Sequence, residues 1–331
     1  MTSTENELLN WQLPLAELHC HIDGTTSPAL ALRQARKYNV DISDVTNGDQ
    51  FLWGNFSQFL DAYDRIAALF RDEADHKLLT FDYLKQLSEQ GTIYSELFIS
   101  PCHAEQSGLG AEHYVEALST AAIEAKEAFG IECRFIVTGV RHYGAEKVTA
   151  AAKFAATCKA PLITGFGMAG DERFGDIRDY AAAFDIARDA GLGITVHSGE
   201  FAGAEEIERT IDSLRPDRLG HGVRAVESER LMKGIAEQGI VLECCPGSNI
   251  ALGVFPSFEA HPLRLLKDAG CRITVSSDDP PFFKTTLKRE YEIAAETHGF
   301  TEAELVELTR EALCAAFIDA RSRERLLSKL P

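Results

Sequence analysis

A chain of 331 residues, 45% hydrophobic and 25% charged, has the composition of an ordinary folded protein with material for a large core. Its 51 acidic residues outnumber 33 basic ones, giving a formal charge of -18 that no long Lys/Arg cluster interrupts. Such a field repels phosphate backbones and anionic bilayers, so nucleic acid and membrane are excluded as expected partners and a neutral or cationic small molecule is favoured.

The first 14 residues carry Glu5 and Glu7 with neither a basic start nor a long apolar segment, and no run of 18 apolar residues follows, so a cytoplasmic location is expected. The first β-rich run is "LAELHCHI" (15–22). Residues 23–91 then separate it from "TIYSELFIS" (92–100), far more chain than one crossover helix needs. They include "FLWGNFSQFLDAYDRIAALF", which reads as amphipathic helices that pack on the body of the domain, form an apolar lid over its active site, or do both. Next comes "HAE" (103–105), matching the H-x-E start of cytidine-type zinc deaminases; no P-C-x-x-C follows, so His103 is expected in a loop.

Six more β-rich runs complete the chain: "CRFIVTGV" (133–140), "LITGFGMAG" (162–170), "LGITVHSGE" (192–200), "RLGHGV" (218–223), "IVLECCPGS" (240–248) and "CRITVSSDD" (271–279). Between most of them stand segments such as "EHYVEALSTAAIEAKEAFG", with apolar residues every three or four positions and a closing Gly. Eight alternating units imply parallel strands closed into a (β/α)8 TIM barrel, a single domain over 1–331 with a helical insertion within 23–91. An open doubly wound sheet would instead carry a Gly-rich phosphate turn after an early strand, and "HIDGTTSPAL" is not one. The basic end "RSRERLLSKLP" reads as a solvated helix face. Eight scattered cysteines without a CxxC pair read as buried free thiols.

Barrel enzymes place their chemistry at the C-terminal ends of strands, so polar residues there are informative. His19 and His21 end the first run two positions apart and share a face. Alone, that pair is more often a hydrogen-bonded core feature than a chelate. His197 on the fifth run and Asp278 on the eighth change the balance, because three imidazoles and a carboxylate at one barrel mouth suit zinc and leave a position for water. Cys20 must point to the opposite face from its neighbours. Glu200, three residues past His197, can reach such a site and shuttle protons, against the blander reading of a solvent residue or helix cap. His221, between two glycines, reads as a fourth ligand, a core residue, or a group that orients the attacking hydroxide. Asp278 and Asp279 cannot share a direction, so one can bind metal while the other meets substrate.

Five segments in order, "AELHCHIDG", "GMAGDE", "VHSGE", "RLGHGV" and "SSDDP", resemble the adenosine deaminase family of metal-dependent amidohydrolases over nearly the whole chain. The resemblance implies one zinc per chain held by His19, His21, His197 and Asp278. It implies Glu200 as proton donor to the purine ring, His221 as the residue that holds and polarises the hydroxide, the Gly170 backbone N–H as a contact to the purine, and Asp279 as a hydrogen-bond partner of its five-membered ring. His21 and Asp23 complete the expected substrate contacts. The substrate class is a small-molecule purine nucleoside: an Asp at position 23 looks like the adenosine-type enzymes, where it meets ribose, whereas relatives acting on free adenine tend to have Glu. Deamination of adenosine and 2′-deoxyadenosine is thus the leading expectation, with free adenine or a modified 6-aminopurine as alternatives. Ser198 stands where Ala is usual and Ser277 where Thr is usual, which leaves room for the modified base. A binuclear amidohydrolase would need a bridging Lys at a strand end, and Lys159 precedes its strand. A purine-binding protein without chemistry should have lost Glu200 or a ligand, and all are present.

Overall fold

A computed structural model describes residues 13–331; the acidic opening with Glu5 and Glu7 lies outside the described residues. Eight strands, β1 Leu15–His21, β2 Thr92–Ile99, β3 Glu132–Val140, β4 Ile163–Ala169, β5 Gly193–Ser198, β6 Arg218–His221, β7 Val241–Cys244 and β8 Arg272–Val275, pair in parallel in sequence order. Each expected strand is present, and the barrel closes as expected. The seam between first and last strands is made by the backbone beside the candidate metal ligands: His21 N–H donates to Asp278 O at 3.1 Å and Asp278 N–H donates to His19 O at 3.1 Å. Closure of the barrel and assembly of the site are therefore one event. Between Glu17 and Cys20, β1 advances three residues while β2 advances from Ser95 to Leu97, a bulge at the strand that carries both histidines.

The helices follow their local signals. Helix 111–129 ends at Gly130, whose φ of 76° suits the left-handed cap that a residue with Cβ resists. Helix Phe56–Ala67 starts at Asn55, whose side chain accepts the Gln58 N–H, and it buries Phe59, Ala62 and Ile66. This helix and its neighbour Glu73–Glu89 lie within the long insertion: the second buries Leu79, Tyr83, Leu84 and Leu87, while the first lends Phe56, Phe59 and Tyr63 to the lining of a cavity at the barrel mouth. Cys20 points outward, as alternation requires, and its thiol meets the Tyr83 hydroxyl at 3.1 Å. All eight cysteines are free, five of them buried. The basic C-terminal segment forms helix Ala320–Leu327, whose residues are exposed or half-buried except for the buried Leu326. No helix among the described residues is long and apolar enough to cross a membrane.

Inside the barrel, charge is buried in pairs. Arg218 on β6 reaches Glu96 on β2 at 2.7 Å and Glu243 on β7 at 2.5 Å, with its guanidinium over the Phe317 ring. Breaking such a pair strands a buried charge and costs about 3–5 kcal/mol, so this floor resists single substitutions.

Candidate active site

Two strand ends, those of β1 and β5, and the segment after β8 bring His19, His21, His197 and Asp278 together, one ligating atom of each lying within 4.8 Å of the others. The outer nitrogens set the inner ones. His19 Nδ1 is 2.8 Å from the Glu243 carboxylate, and His197 Nδ1 is 3.0 Å from the Met168 carbonyl, so both rings donate outward and turn Nε2 into the cluster. His21 Nε2 comes within 3.2 Å of His197 Nε2. Gly220 allows this crowding: a Cβ there would sit 2.8 Å from His19 and 3.1 Å from His197.

The corner attracts positive charge. Burial pulls His19 down, but hydrogen bonds to Asp278 and Glu243 outweigh it and hold the imidazole at about 9. Burial raises Asp278, yet its hydrogen bond to His19 and the surrounding histidines take it far below the usual carboxylate range. His21, lowered to about 4 by burial, and His197, lowered further by burial and its histidine neighbours, are neutral and available to a cation. His19 Nε2 is buried and points into the cluster 3.5 Å from Asp278, where a cation would take the place of the proton that the two carboxylates favour on this ring. The residues present thus fit one metal ion. His221, Cys245 and Asp278 also approach one another, but burial pushes the Cys245 thiol well up and its hydrogen rests on the Glu243 carbonyl, so that trio is the poorer donor set.

Beside the corner stand Glu200, His221 and Asp279. The Glu200 carboxyl is raised well above its ordinary value by burial, with the charges of Asp278 and Glu172 adding to it, which favours its protonated form. His221 Nε2 lies 3.8 Å from Glu200 and 3.9 Å from Asp278. Both His221 and Asp278 have left-handed backbones, φ 61° and 63°, strained conformations that cluster at functional sites. Burial and the charge of Asp278 push the Asp279 carboxyl well up; its Oδ1, buried without a partner, occupies the space where a Cβ on residue 24 would fall, only 1.7 Å away. Only glycine fits at Gly24.

Substrate space opens above these groups. Phe56, Phe59 and Tyr63 from the insertion helix, with Phe283 after β8, line the cavity together with Gly170, Glu200 and Asp279. No Lys or Arg is among the described residues lining the cavity. Gly170, at φ 103°, lines it and packs against His142, which a Cβ would strike at 2.6 Å.

Of the residues the sequence singled out, the cavity wall holds His21, Gly170, His197, Glu200, His221, Asp278 and Asp279, with His19 just behind. Asp23 is not on the wall. It is buried and its carboxylate accepts from His103 Nδ1 at 3.3 Å. His103 itself corrects the expectation of a loop residue: it sits on the short helix Pro101–Gln106, buried, facing the cavity with Asp64 at 3.6 Å on its other nitrogen. The two serines that depart from the family pattern lie behind the wall, Ser198 bonded to Thr210 at 2.9 Å and Ser277 to Glu17 at 2.8 Å. Lys159 is exposed before β4, at the wrong end of the barrel to bridge two metals.

Sequence reasoning missed Glu172, Glu243 and Asn249. Glu172, inside the "GMAGDE" motif, accepts the backbone N–H groups of Glu200, Phe201 and Ala202 at 2.8–3.1 Å and so fixes the turn that carries Glu200. Glu243 was visible as a charge inside the apolar strand "IVLECC".

A closed parallel barrel with three imidazoles and a carboxylate at its C-terminal mouth defines the class of metal-dependent hydrolases. The adenosine deaminase family model matches residues 14–331. The chain belongs to that family. It is similar to the adenine deaminase of Chelativorans sp. (strain BNC1), 55% identical over 95% of this chain and 97% of that protein. Among solved structures, it resembles adenine deaminase from Arthrobacter aurescens at a TM-score of 0.88, with 24% identity over 96% of this chain and 98% of the other. It also resembles an amidohydrolase from Burkholderia ambifaria with bound zinc, at a TM-score of 0.86 and 25% identity over 96% and 89% of the two chains.

Proposed function

We propose that this protein hydrolytically deaminates free adenine, releasing ammonia, and that it does so in the cytoplasm as a single-domain enzyme with one zinc ion. The observation that carries the choice of base is the full-length likeness, above half identity, to a relative named adenine deaminase. The leading sequence expectation, adenosine, rested on Asp23, and that carboxylate is engaged by His103 away from the cavity wall. The serines that left room for a modified base face away from the cavity. A wall without Lys or Arg among the described residues disfavours nucleotides, whose phosphate needs a cationic clamp.

In this reading His19, His21, His197 and Asp278 hold the zinc. When bound, the metal supplies Lewis acidity that makes water a nucleophile near neutral pH. Glu200, whose protonated form burial favours, gives a proton to the ring nitrogen beside the amino-bearing carbon and makes that carbon electrophilic. It then takes a proton from the attacking water, passes it to the departing amino group, and recovers one from the new hydroxyl as the carbonyl forms. His221 directs its Nε2 at the water. The Gly170 N–H and the Asp279 carboxyl hold the flat base, with His21 at its edge and the aromatic side chains of the lining excluding solvent. Asp23 acts through His103 at the rim.

Ammonia release from adenine, adenosine, 2′-deoxyadenosine and AMP, measured in parallel on protein of known metal content, tests this reading. Adenine is expected to lead in kcat/KM by at least about tenfold. A lead for the nucleosides would return Asp23 to a ribose contact, and no turnover of any of them by zinc-loaded protein would overturn the deaminase assignment to these substrates.

A further inference from the structure

Behind His221 lies a chain of buried groups whose direction a single backbone N–H decides. The Leu263 N–H points at His261 Nδ1, 3.3 Å away. A backbone N–H can only donate, so Nδ1 is an acceptor and the His261 ring carries its proton on Nε2. Burial keeps this imidazole neutral, its pKa lowered to about 3. Nε2 lies 3.1 Å from Asn249 Oδ1, and donation there fixes which way the amide faces. Asn249 Nδ2 is thereby turned toward the catalytic groups, 3.2 Å from His221 Nδ1 and 3.5 Å from Glu200 Oε1. An amide NH2 can only donate as well, so His221 Nδ1 accepts. The one proton of a neutral His221 must then stand on Nε2, the nitrogen that faces Glu200 and Asp278. Asn249 and His261 are both buried, on the short helix Pro246–Ala251 after β7 and in the loop that follows it.

We infer that Asn249 and His261 are positioning residues, a hydrogen-bond relay that starts at the Leu263 N–H and locks His221 in the Nε2–H tautomer while steadying the Glu200 carboxyl. Neither touches substrate. A wrong tautomer in an otherwise intact site removes the donor that the reaction needs, as the effect of tautomer on histidine-dependent catalysis elsewhere illustrates. The consequence for rate rests on the deamination reading; the tautomer itself does not.

The test uses full-length, zinc-loaded protein with 15N-labelled histidine imidazoles, the His221 signals being assigned by their loss in His221→Gln. His261→Leu removes the donor to Asn249, and His261→Gln restores an N–H near the position of Nε2. In the wild type and in His261→Gln, His221 is expected to be protonated on Nε2 and bare on Nδ1. In His261→Leu the two nitrogens should average, with kcat for adenine down roughly 10- to 100-fold, the range for residues that orient a functional histidine, and KM little changed. A wild-type His221 protonated on Nδ1 overturns the relay without any variant having to fold. So does a folded His261→Leu protein that keeps the Nε2–H tautomer. If the wild type does not turn over adenine, the substrate reading fails and the spectra still decide the relay.

Discussion

Two sides of one cavity are built differently. On the metal side, His19, His21, His197 and Asp278 stand on strand ends or on the seam that closes the barrel; Glu243 orients His19 and the Met168 carbonyl orients His197. On the rim side, Asp23, His103, Asp64 and Tyr143 come from loops, the insertion helix and short helices, and their contacts are longer, 3.2–3.6 Å. Groups on paired strands are held by the ladder itself, whereas rim groups are held chiefly by one another. On the deaminase reading proposed above, the chemistry falls to the rigid side and the choice of substrate to the side that can change without disturbing the barrel.

Substitutions on each side should separate these roles. The largest effect is expected from Asp278→Ala, which removes the corner's carboxylate: metal content should fall, and the loss of turnover should exceed the roughly 10- to 100-fold typical of residues that merely support metal ligands. Metal analysis and ammonia release check it, and a variant with full metal and full activity would take Asp278 out of the corner. A smaller effect is expected from His103→Ala on the rim. It leaves Asp23 buried without its partner, so kcat/KM for adenine should drop about tenfold with metal content unchanged, and the adenine-to-adenosine ratio should narrow. Loss of metal in this variant would erase the distinction between the two sides. Ser198→Ala should do least to function: it strands the Thr210 hydroxyl and costs about 1 kcal/mol in thermal or urea unfolding, while kcat/KM stays within about twofold of wild type.

The metal side was also the legible side. "HCH", "VHSGE" and "SSDD" each end a β-rich run, and in a barrel that address alone brings them together, so residues far apart in sequence could be read as one site. The structure gives two glycines there their reason, since a Cβ on Gly220 or Gly24 would strike His19 or Asp279. The rim was not legible. Nothing local in "PCHAEQ" indicates that a short helix would aim His103 at Asp23, 80 residues earlier, and the expectation of a ribose contact at Asp23 rests on the family resemblance alone. Asn249 was hidden for a related reason, since an amide acquires its orientation only from His261, in a loop with no periodic signal.

Glu200 lines the cavity beside His221, and Glu200→Gln tests the central claim most directly. Glutamine keeps the size and the hydrogen-bonding reach toward Asn249 but has no proton to deliver. Metal content and single-turnover ammonia release from adenine should be measured on the same sample. Metal retained at the wild-type level with turnover reduced by at least about a hundredfold is the expected result. Turnover near the wild-type rate with metal in place would contradict it, and the proton carrier would have to be sought elsewhere in the cavity.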